Sequence, residues 1–434
     1  MVTFGYRLAR LAMAGSRKRR AAEPEREPED EPARSAVMAP PAWLDDHWGA
    51  VPDPEADAAC RCGVLEVSRS AGESAATRLY HQYPLRLIVP RRVKTAFPDA
   101  DCVWCYSVTF GGGLVAGDRS GMSVDVADGC AAVLATQGTT KIYKHARGGP
   151  AGKSPASASE RITDEASRYS AADAKTSRDT VQALAARIGD GALLAALPDP
   201  AQAFRDSRFR NRQRFKLKST GSLALVDWVT AGRAGFEGGG AGGFTSGYGG
   251  GVAPATQFPR DPDGERWVFD SYATAAEVCV DDREVLVESV RLDQGFRGTE
   301  KYDGTAASAR GGASASGGLA ARMGAVHALA VVVLVGPRCE AASKSVKEAL
   351  EPFAKSTVAG GARGVSAAPD PAGDAGWLLA SLSDLRVGDD GRVAGVVARV
   401  AGPDTDSVYR ILRRALEPLG RELGAPPFAE RGLA

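Results

Sequence analysis

Short stretches of alternating apolar and polar residues, separated by glycine, proline and aspartate turns, fill the middle of this sequence and constrain its fold more than any other feature. A period of two residues is typical of β-strands, and the spacing of the stretches favours antiparallel or coiled β-structure. They lie at residues 64–67, 77–80, 85–89, 103–110, 191–194, 213–217, 222–229, 267–272, 277–280 and 285–292. We therefore expect a mainly β protein.

The C-terminal third of the chain adds helical character to this pattern. Residues 328–335 are all apolar but far fewer than the roughly 20 that a membrane span needs, so they predict a buried strand. Pro352 and Pro418 are expected to interrupt or cap helices. The other elements predicted here are helix 343–353, strands 376–384 and 391–400, and helix 406–423. We expect a layered, β-sandwich-like body with a small C-terminal α/β portion.

The most patterned segment is FGGGLVAGDRSGMSVDVADGCAAVLATQGTTKIY at residues 110–143. Its three consecutive glycines break a β-prone run, and Gly117-Asp118 gives a second turn signal. Asp128-Gly129 predicts a hairpin turn. Asp118 thus sits at a glycine-rich corner, where the backbone can approach a partner or an ion closely.

Five blocks of this sequence resemble the urease accessory protein family UreD, also called UreH. The resemblance extends over about residues 62–420, and the blocks occur in the order found in the family. They are YPLRLIVP (83–90), GGGLVAGD (111–118), ATQGTTKIY (135–143), LPDP with FRDSRF (197–200 and 204–209), and DWVTAGR with GERW (227–233 and 264–267). The resemblance implies a layered, β-helix-like scaffold with C-terminal helices.

The same resemblance implies a non-enzymatic role in urease assembly. Such a protein binds the urease apoprotein and a helical partner of the UreF type, and through it a GTPase of the UreG type, and it allows a dimeric accessory complex. It helps to pass Ni²⁺ to the nascent active site. Transfer favours weak, exchangeable oxygen or imidazole ligands, so nickel is expected as a transient ion rather than as a tightly bound cofactor.

Three carboxylates are candidates for this nickel path. They are Asp118 at the glycine corner, Glu265 in the GERW block and, next, Asp125. The structural alternative is equally open: Asp118 caps a turn, and Glu265 pairs with Arg233 or Arg266 to hold the fold.

Four further residues are candidates for a partner interface because arginine and aromatic residues concentrate binding energy. Arg233 is the strongest of them, and the others are Lys141, Tyr143 and Trp267. Each of the four could instead close the β-core. The helical residues 408–419 carry an amphipathic pattern that fits either a partner or the protein's own domain.

Low-complexity segments interrupt the region of resemblance, which we take as one scaffold domain over residues 61–424. Residues 146–174 and 234–263 are glycine-rich or polar insertions relative to the family pattern, and residues 304–318 form a third such tract. They change the local surface and leave the framework intact.

Residues 1–60 form an N-terminal extension that we expect to be disordered. Residues 1–20 carry six basic and no acidic residues, and Phe4, Leu8 and Leu11 share a face if the segment is helical. This permits an organelle transit peptide. The acidic, proline-rich residues 23–32 argue against one, so the cytoplasm is the first expectation and an organelle the alternative.

Charge and cysteine content exclude several other classes. The formal net charge is +1, which gives no general attraction to nucleic acid or to an anionic membrane. Seven cysteines are too irregular for a disulfide framework and suit a reducing compartment. In the CxxC pair Cys102 and Cys105, a strand directs the two thiols to opposite faces, which opposes a metal site.

Two other functions remain open. A β-helix-type enzyme acting on carbohydrate needs paired carboxylates in a groove, for which Asp125 and Asp128 are a weak indication. A passive interaction module without a metal role differs from the urease scaffold only in lacking a nickel path.

Overall fold

The computed structural model describes residues 3–8, 61–91, 97, 99–144, 179–233, 265–294, 318–359, 368–369, 377–387 and 393–428. Two large sheets dominate these residues. The first sheet contains eight strands, in the spatial order β1 (Thr3–Leu8), β15 (Arg283–Asp293), β14 (Ser271–Val280), β12 (Arg208–Leu217), β9 (Thr180–Ile188), β6 (Arg119–Val126), β2 (Arg61–Ser70) and β3 (Glu73–His81).

The second sheet has more strands, and the two longest helices among the described residues pack against it. Its main order is β17 (Ala368–Pro369), β18 (Trp377–Val387), β19 (Val393–Gly402), β16 (Ala328–Val335), β13 (Ser222–Thr230), β10 (Leu193–Ala196), β7 (Ala131–Thr136), β5 (Val103–Thr109) and β4 (Leu85–Ile88). Two short strands, β8 (Thr140–Ile142) and β11 (Ala201–Ala203), pair with each other, and β11 also pairs with β13. The helices are α1 (Leu319–Met323), α2 (Glu340–Ala359), α3 (Thr405–Leu416) and α4 (Gly420–Leu423).

Successive strands in the middle of the chain alternate between the two sheets. β6, β9, β12 and β14 are parallel neighbours in the first sheet, while β5, β7, β10 and β13 are parallel neighbours in the second. The chain therefore winds as a flattened β-coil, which confirms the expected mainly β, β-helix-like scaffold.

The winding also corrects one prediction. Asp128 and Gly129 do not form a hairpin, because the strand before them belongs to the first sheet and the strand after them to the second. Gly129 has φ +66°, a left-handed conformation that is typical of glycine in a turn. Pairing with strands from distant parts of the chain decided where the next strand goes.

Two apolar layers hold this coil together. One lies between the sheets, and the other lies between the outer side of the second sheet and the helices α2 and α3. Cys105 belongs to the first layer and Cys102 to the second, which confirms that a strand separates them. β16 is buried at all eight positions because both of its faces are covered.

The C-terminal elements follow the sequence pattern closely. Pro418 does interrupt the last helical segment, where a 3₁₀ turn separates α3 from α4. Pro352, in contrast, lies inside α2 and does not end it. The apolar positions Val408, Ile411 and Leu412 are buried against the protein's own second sheet, so this face is not available to a partner.

The N-terminus differs from the expectation of a disordered or helical start. Residues 3–8 form a strand that pairs antiparallel with β15, from Thr3 opposite Arg291 to Leu8 opposite Leu286. The edge of the first sheet supplies the hydrogen-bonding partners that favour this extended conformation over a helix. The rest of the extension and most of the three low-complexity inserts lie outside the described residues.

A buried ion pair joins the two sheets directly. Arg399 on β19 donates two hydrogen bonds to Glu288 on β15, one of them from Nε to Oε1 at 2.8 Å. The side chains are only 11% and 3% exposed. Burial raises the pKa of Glu288, and the bonds from Arg399 oppose that rise in pKa.

We predict that Arg399→Met lowers the free energy of unfolding by about 3–5 kcal/mol, because Glu288 stays buried without its partner. Urea denaturation measures the loss. The double variant Glu288→Leu/Arg399→Met should recover most of it, since no charge is then left in the interior. Equal losses in the single and double variants would contradict the prediction.

Candidate functional site

The connections that run from the second sheet to the first all lie at one end of the coil, which we call the return edge. They comprise residues 110–118, 143–179, 204–207 and 231–270. The second is described at 143–144 and 179, and the last at 231–233 and 265–270. They share one end because β6, β9, β12 and β14 are parallel and in register. The candidates Asp118, Lys141, Tyr143, Arg233, Glu265 and Trp267 all lie at or beside this edge.

Backbone hydrogen bonds join the glycine corner to β8 and to Tyr143, the residue that follows β8. Leu114 N donates to Lys141 O at 2.8 Å, and Tyr143 N donates to Leu114 O at 2.9 Å. A Cβ on Gly113 would lie 2.6 Å from Lys141 O, so only glycine allows this approach. The structure thus brings together two of the sequence blocks that carry the family resemblance.

Asp118 has the local role that the structural alternative foresaw. Its Oδ2 accepts a hydrogen bond from Val115 N at 2.8 Å, while its own N–H donates to Val115 O at 3.0 Å. The carboxylate therefore closes the turn that ends the glycine corner. An ion at Asp118 would compete with this backbone bond for Oδ2.

Glu265 is held by Arg233 in a bidentate pair. Arg233 donates from Nη2 to Oε1 at 2.5 Å and from Nε to Oε2 at 3.1 Å, and Glu265 N donates to Arg233 O at 2.8 Å. Burial would raise the pKa of Glu265, but the hydrogen bonds and charge of Arg233 outweigh it and leave the pKa below its usual value. Glu265 is therefore an ionised carboxylate whose two oxygens already have a cationic partner.

An aromatic support lies under this pair. The Arg233 guanidinium carbon is 4.7 Å from the ring centroid of Phe204, and the Tyr143 ring meets Phe204 edge-on at 5.5 Å. Arg233 nevertheless remains 62% exposed. Tyr143, Phe204, Arg233 and Glu265 thus form one cluster, the Arg233 cluster, with a cation presented to solvent.

An exposed apolar group adjoins the glycine corner and was not identified from the sequence as a site. Phe110 is 47% exposed, Val115 49% and Tyr83 69%, and the rings of Tyr83 and Phe110 are 6.2 Å apart. Adjacent exposed apolar side chains are typical of interaction surfaces. A sequence signal existed, since Phe110 is the aromatic residue that opens the glycine corner.

Two candidates lie elsewhere than expected. Trp267 is fully buried, and its Nε1 donates to Val326 O at 2.7 Å, so its side chain closes the core and does not face a partner. Asp125 lies seven residues beyond Asp118, about 23 Å along the strand at ~3.3 Å per residue. It pairs with Arg187 at 3.3 Å near the opposite end of β6.

A cavity of about 100 Å³ lies between the two sheets and was missed from the sequence. Its volume leaves room for several water molecules. The oxygen- and nitrogen-bearing side chains that line it are Ser107, Ser120, Thr136, Thr140, Gln182, Asp199, Asn211, Gln213, Asp227 and Tyr272. The inward positions of β12 gave a signal, because Asn211 and Gln213 alternate with Phe209 and Phe215 on a face that should be apolar.

Asp227 is the deepest carboxylate of this cavity. Its Oδ2 accepts hydrogen bonds from Thr274 Oγ1 at 2.5 Å and from Gln213 Nε2 at 3.0 Å. Burial raises the pKa of Asp227, and these two hydrogen bonds oppose that rise in pKa. Burial therefore favours the neutral, protonated form of Asp227 over the carboxylate.

Neither a metal-ligand cluster nor a membrane-spanning helix is found in the part of the chain that the structure describes. Among the described residues, no three histidine, cysteine, aspartate or glutamate side chains are grouped so that they could hold a metal ion. No helix in the described ranges is long and apolar enough to cross a membrane.

We predict that Gly232→Ala destabilises the protein by about 2–3 kcal/mol or more, because φ is +106° and a Cβ would lie 2.3 Å from Glu265 O. Gly117→Ala is the matched control, since Gly117 also has positive φ but no atom within 4 Å of the added Cβ. It should cost about 1 kcal/mol. Similar losses in urea denaturation would argue against close packing of the Arg233 cluster.

We also predict that Asp227→Asn raises the free energy of unfolding, and more at about pH 8 than at about pH 4. The pKa of Asp227 is higher in the folded than in the unfolded protein. Ionisation of Asp227 therefore costs no stability below the unfolded pKa of about 4, and the stability of the native protein falls as the pH rises towards the folded pKa. Asparagine keeps an acceptor for Thr274 and Gln213 but cannot ionise. Thermal unfolding of both proteins across this pH range measures the difference, and a pH-independent difference would contradict it.

Comparison with known proteins identifies the family that this chain resembles. The profile of the UreD urease accessory protein family matches residues 61–241 and 253–432. Urease accessory protein D of Oryza sativa subsp. japonica is 30% identical over 386 residues, covering 87% of this chain and 98% of the rice protein. Urease accessory protein UreD of Anaeromyxobacter sp. (strain Fw109-5) is 31% identical over 378 residues, covering 87% and 92%. Urease accessory protein D of Arabidopsis thaliana is 28% identical over 379 residues, covering 85% and 99%. The chain belongs to the UreD urease accessory protein family.

Proposed function

We propose that this chain is a non-catalytic scaffold for urease maturation, which binds the urease apoprotein and accessory partners and helps to pass Ni²⁺ to the enzyme. The family match over residues 61–241 and 253–432 carries the proposal, because it spans the β-coil, the return edge and the C-terminal helices together. The role assigned to the relatives by their names thereby extends to the whole body of this chain.

The return edge supplies the surface that we assign to a partner. The Arg233 cluster offers a solvent-facing guanidinium held in place by Glu265 and Phe204, so little side-chain freedom is lost on binding. Exposed Phe110 and Val115 add apolar area beside it. Arginine and aromatic anchors of this kind concentrate binding energy in interfaces. Lys141 and Tyr143 extend the same surface.

The partners follow from the family role. We assign the return edge to either the urease apoprotein or a helical accessory protein of the UreF type, through which a GTPase of the UreG type is recruited. A GTP site is not required in this chain for that role. The distinction between these partners is an outcome of the experiment below.

We assign the nickel path to the cavity between the sheets. Its lining offers carboxylate, amide and hydroxyl oxygens, which suit a cation that must enter and leave. Asp227 contributes a carboxylate whose charge a cation would compensate. Asp199 lies in the same lining, where its Oδ2 accepts from Gly138 N at 2.8 Å. Nickel is cargo here, and no resident metal is invoked.

Asp118 and Glu265 are weaker candidates for nickel ligands in this proposal. Each would bind nickel only after releasing its present partner, the Val115 N–H or the Arg233 guanidinium. Asp125 would act only at the far end of β6, where it pairs with Arg187. We rank Asp227 above all three as a nickel ligand, because its partners Thr274 and Gln213 are uncharged side chains that line the same cavity or its wall.

The passive interaction module is the second candidate, and it differs in having no nickel path. The carbohydrate-enzyme alternative receives less support, because Asp125 pairs with Arg187 and Asp128 accepts a backbone hydrogen bond from Asp190 at 2.8 Å. Neither carboxylate is presented as half of a catalytic pair.

The test is co-expression of urease and its accessory proteins with this chain, followed by measurement of nickel per urease active site and of the proteins that co-purify. We predict that Arg233→Glu reduces recovery of the complex about tenfold or more, as the loss of an interface anchor does. Asp227→Asn should leave the complex intact and reduce nickel loading severalfold.

Arg187→Glu is the matched control for Arg233→Glu. Both arginines pair with a carboxylate and are similarly exposed, at 64% and 62%, but Arg187 lies away from the return edge. Equal loss with both arginine variants would reject the return edge as the interface. Normal nickel loading with Asp227→Asn would favour the passive module, and full loading without this chain would reject the urease role.

A further inference from the structure

Arg266 is held at the return edge between two neighbours that are fixed in place. Glu265 N donates to Arg233 O at 2.8 Å, and Trp267 N donates to Ala231 O at 2.6 Å. These bonds pair the segment with the residues that follow β13. The Trp267 side chain is fully buried. The backbone of Arg266 is therefore fixed on both sides, and its side chain starts from a defined position.

Two guanidinium donors of Arg266 are buried without an acceptor. Both Nε and Nη2 are shielded from solvent, and neither has a hydrogen-bond partner among the residues that the structure describes. The side chain as a whole is only half-buried, so a ligand can reach the guanidinium from the surface. A buried donor without an acceptor reduces stability, and a charged donor reduces it more. The protein therefore gains free energy when an acceptor reaches these two atoms.

The positions of the two donors define the acceptor that fits them. Nε and Nη2 share one edge of the planar guanidinium, where their N–H bonds are parallel and match the two oxygens of a carboxylate. Two other arginines of this protein use the same edge in this way. Arg233 holds both oxygens of Glu265 through Nε and Nη2. Arg399 holds both oxygens of Glu288 through the same two atoms. The edge of Arg266 thus fits a further carboxylate.

The carboxylates described around Arg266 already have partners. Glu265 is held in the bidentate pair of the Arg233 cluster. Burial lowers the pKa of His327, the charge of Arg266 lowers this pKa further, and the charge of Asp404 opposes both effects. Asp404 lies at the start of α3, where its Oδ1 accepts a hydrogen bond from Ser407 N at 2.7 Å. The buried edge of Arg266 therefore faces no carboxylate within the described ranges.

We propose that the Nε–Nη2 edge of Arg266 binds a carboxylate from outside this chain. The ligand is a planar group with two oxygens. Its source is a small free carboxylate, or an acidic side chain or C-terminus of a protein bound at the return edge. In the second case the partner contacts Arg266 beside the Arg233 cluster. Only this second source rests on the proposed role in urease maturation.

The first arm of the test uses acetate as the probe on the purified full-length chain. Thermal unfolding is followed in about 0.2 M sodium acetate and in sodium chloride at the same concentration and pH, so that charge screening is equal. A ligand that binds the folded protein alone raises its unfolding temperature. Acetate should raise the unfolding temperature of the wild-type chain by about 2 °C relative to chloride.

Arg266→Lys is the test variant, because lysine keeps the positive charge but lacks the two parallel donors. It should lose most of the difference between acetate and chloride, and what remains measures the general effect of the salt on stability. Arg233→Lys is the matched control. Its Nε and Nη2 are already occupied by Glu265, so this variant should keep the wild-type difference.

Two outcomes of this arm would overturn the proposal. An equal acetate response in wild type and Arg266→Lys would show that water satisfies the two donors. A response lost only in Arg233→Lys would place the ligand on Arg233. If Arg266→Lys does not fold, Arg266→Gln replaces it, and the NMR line of formate gives a second readout. The wild-type chain should broaden this line saturably, and an absence of broadening would also reject the site.

The second arm identifies the source of the carboxylate by co-expression with urease and its accessory proteins. If a partner supplies it, Arg266→Lys should reduce recovery of the complex about tenfold, as the loss of an interface anchor does. Unchanged recovery together with a positive first arm assigns the site to a free carboxylate. Failure of the first arm rejects the site whatever urease does. A wild-type chain that recovers no complex contradicts the proposed function alone.

Discussion

The parallel register of β6, β9, β12 and β14 is the constraint on which the rest of the structure depends. Each of these strands is separated from the next by at least one strand of the other sheet, so all four must start at the same end. That requirement creates the return edge and gathers connections from distant parts of the sequence into one surface. It also leaves a continuous interior between two sheets, in which each inward side chain meets residues from the opposite layer. The return edge and the cavity are therefore two consequences of one winding pattern.

The return edge shows how local chemistry and long-range packing combine. The turn that holds Asp118 is local, because the carboxylate and the Val115 N–H are three residues apart. The Arg233 cluster is not local, since Glu265 and Phe204 reach Arg233 only through the coil. The glycines allow the backbone approach, and the side chains then fix one another. A rigid surface built in this way can present a charged anchor without depending on a long regular helix.

The interior combines apolar packing with polar groups that are paired. Glu288 and Arg399 connect the sheets through a buried ion pair, and Asp227 is supported by Thr274 and Gln213. Burial acts against the charge of both carboxylates and raises the pKa of each. Polar groups in a β interior reduce stability unless they are satisfied, and here hydrogen bonds and the ion pair satisfy them.

The sequence by itself determined the mainly β class, the C-terminal α/β portion and most strand positions, because alternation and turn residues act over a few neighbours. It also determined the family blocks, and the opposite faces of Cys102 and Cys105 follow from strand geometry alone. It did not determine that Asp128-Gly129 joins two sheets, that Pro352 stays inside a helix, or that residues 3–8 pair with β15. Only the tertiary structure decided these points, along with the burial of Trp267, the cavity around Asp227 and the separation of Asp125 from the return edge. The physical reason is that each depends on strand pairing between residues far apart in the chain, and local pattern carries no information about which partner a strand will find.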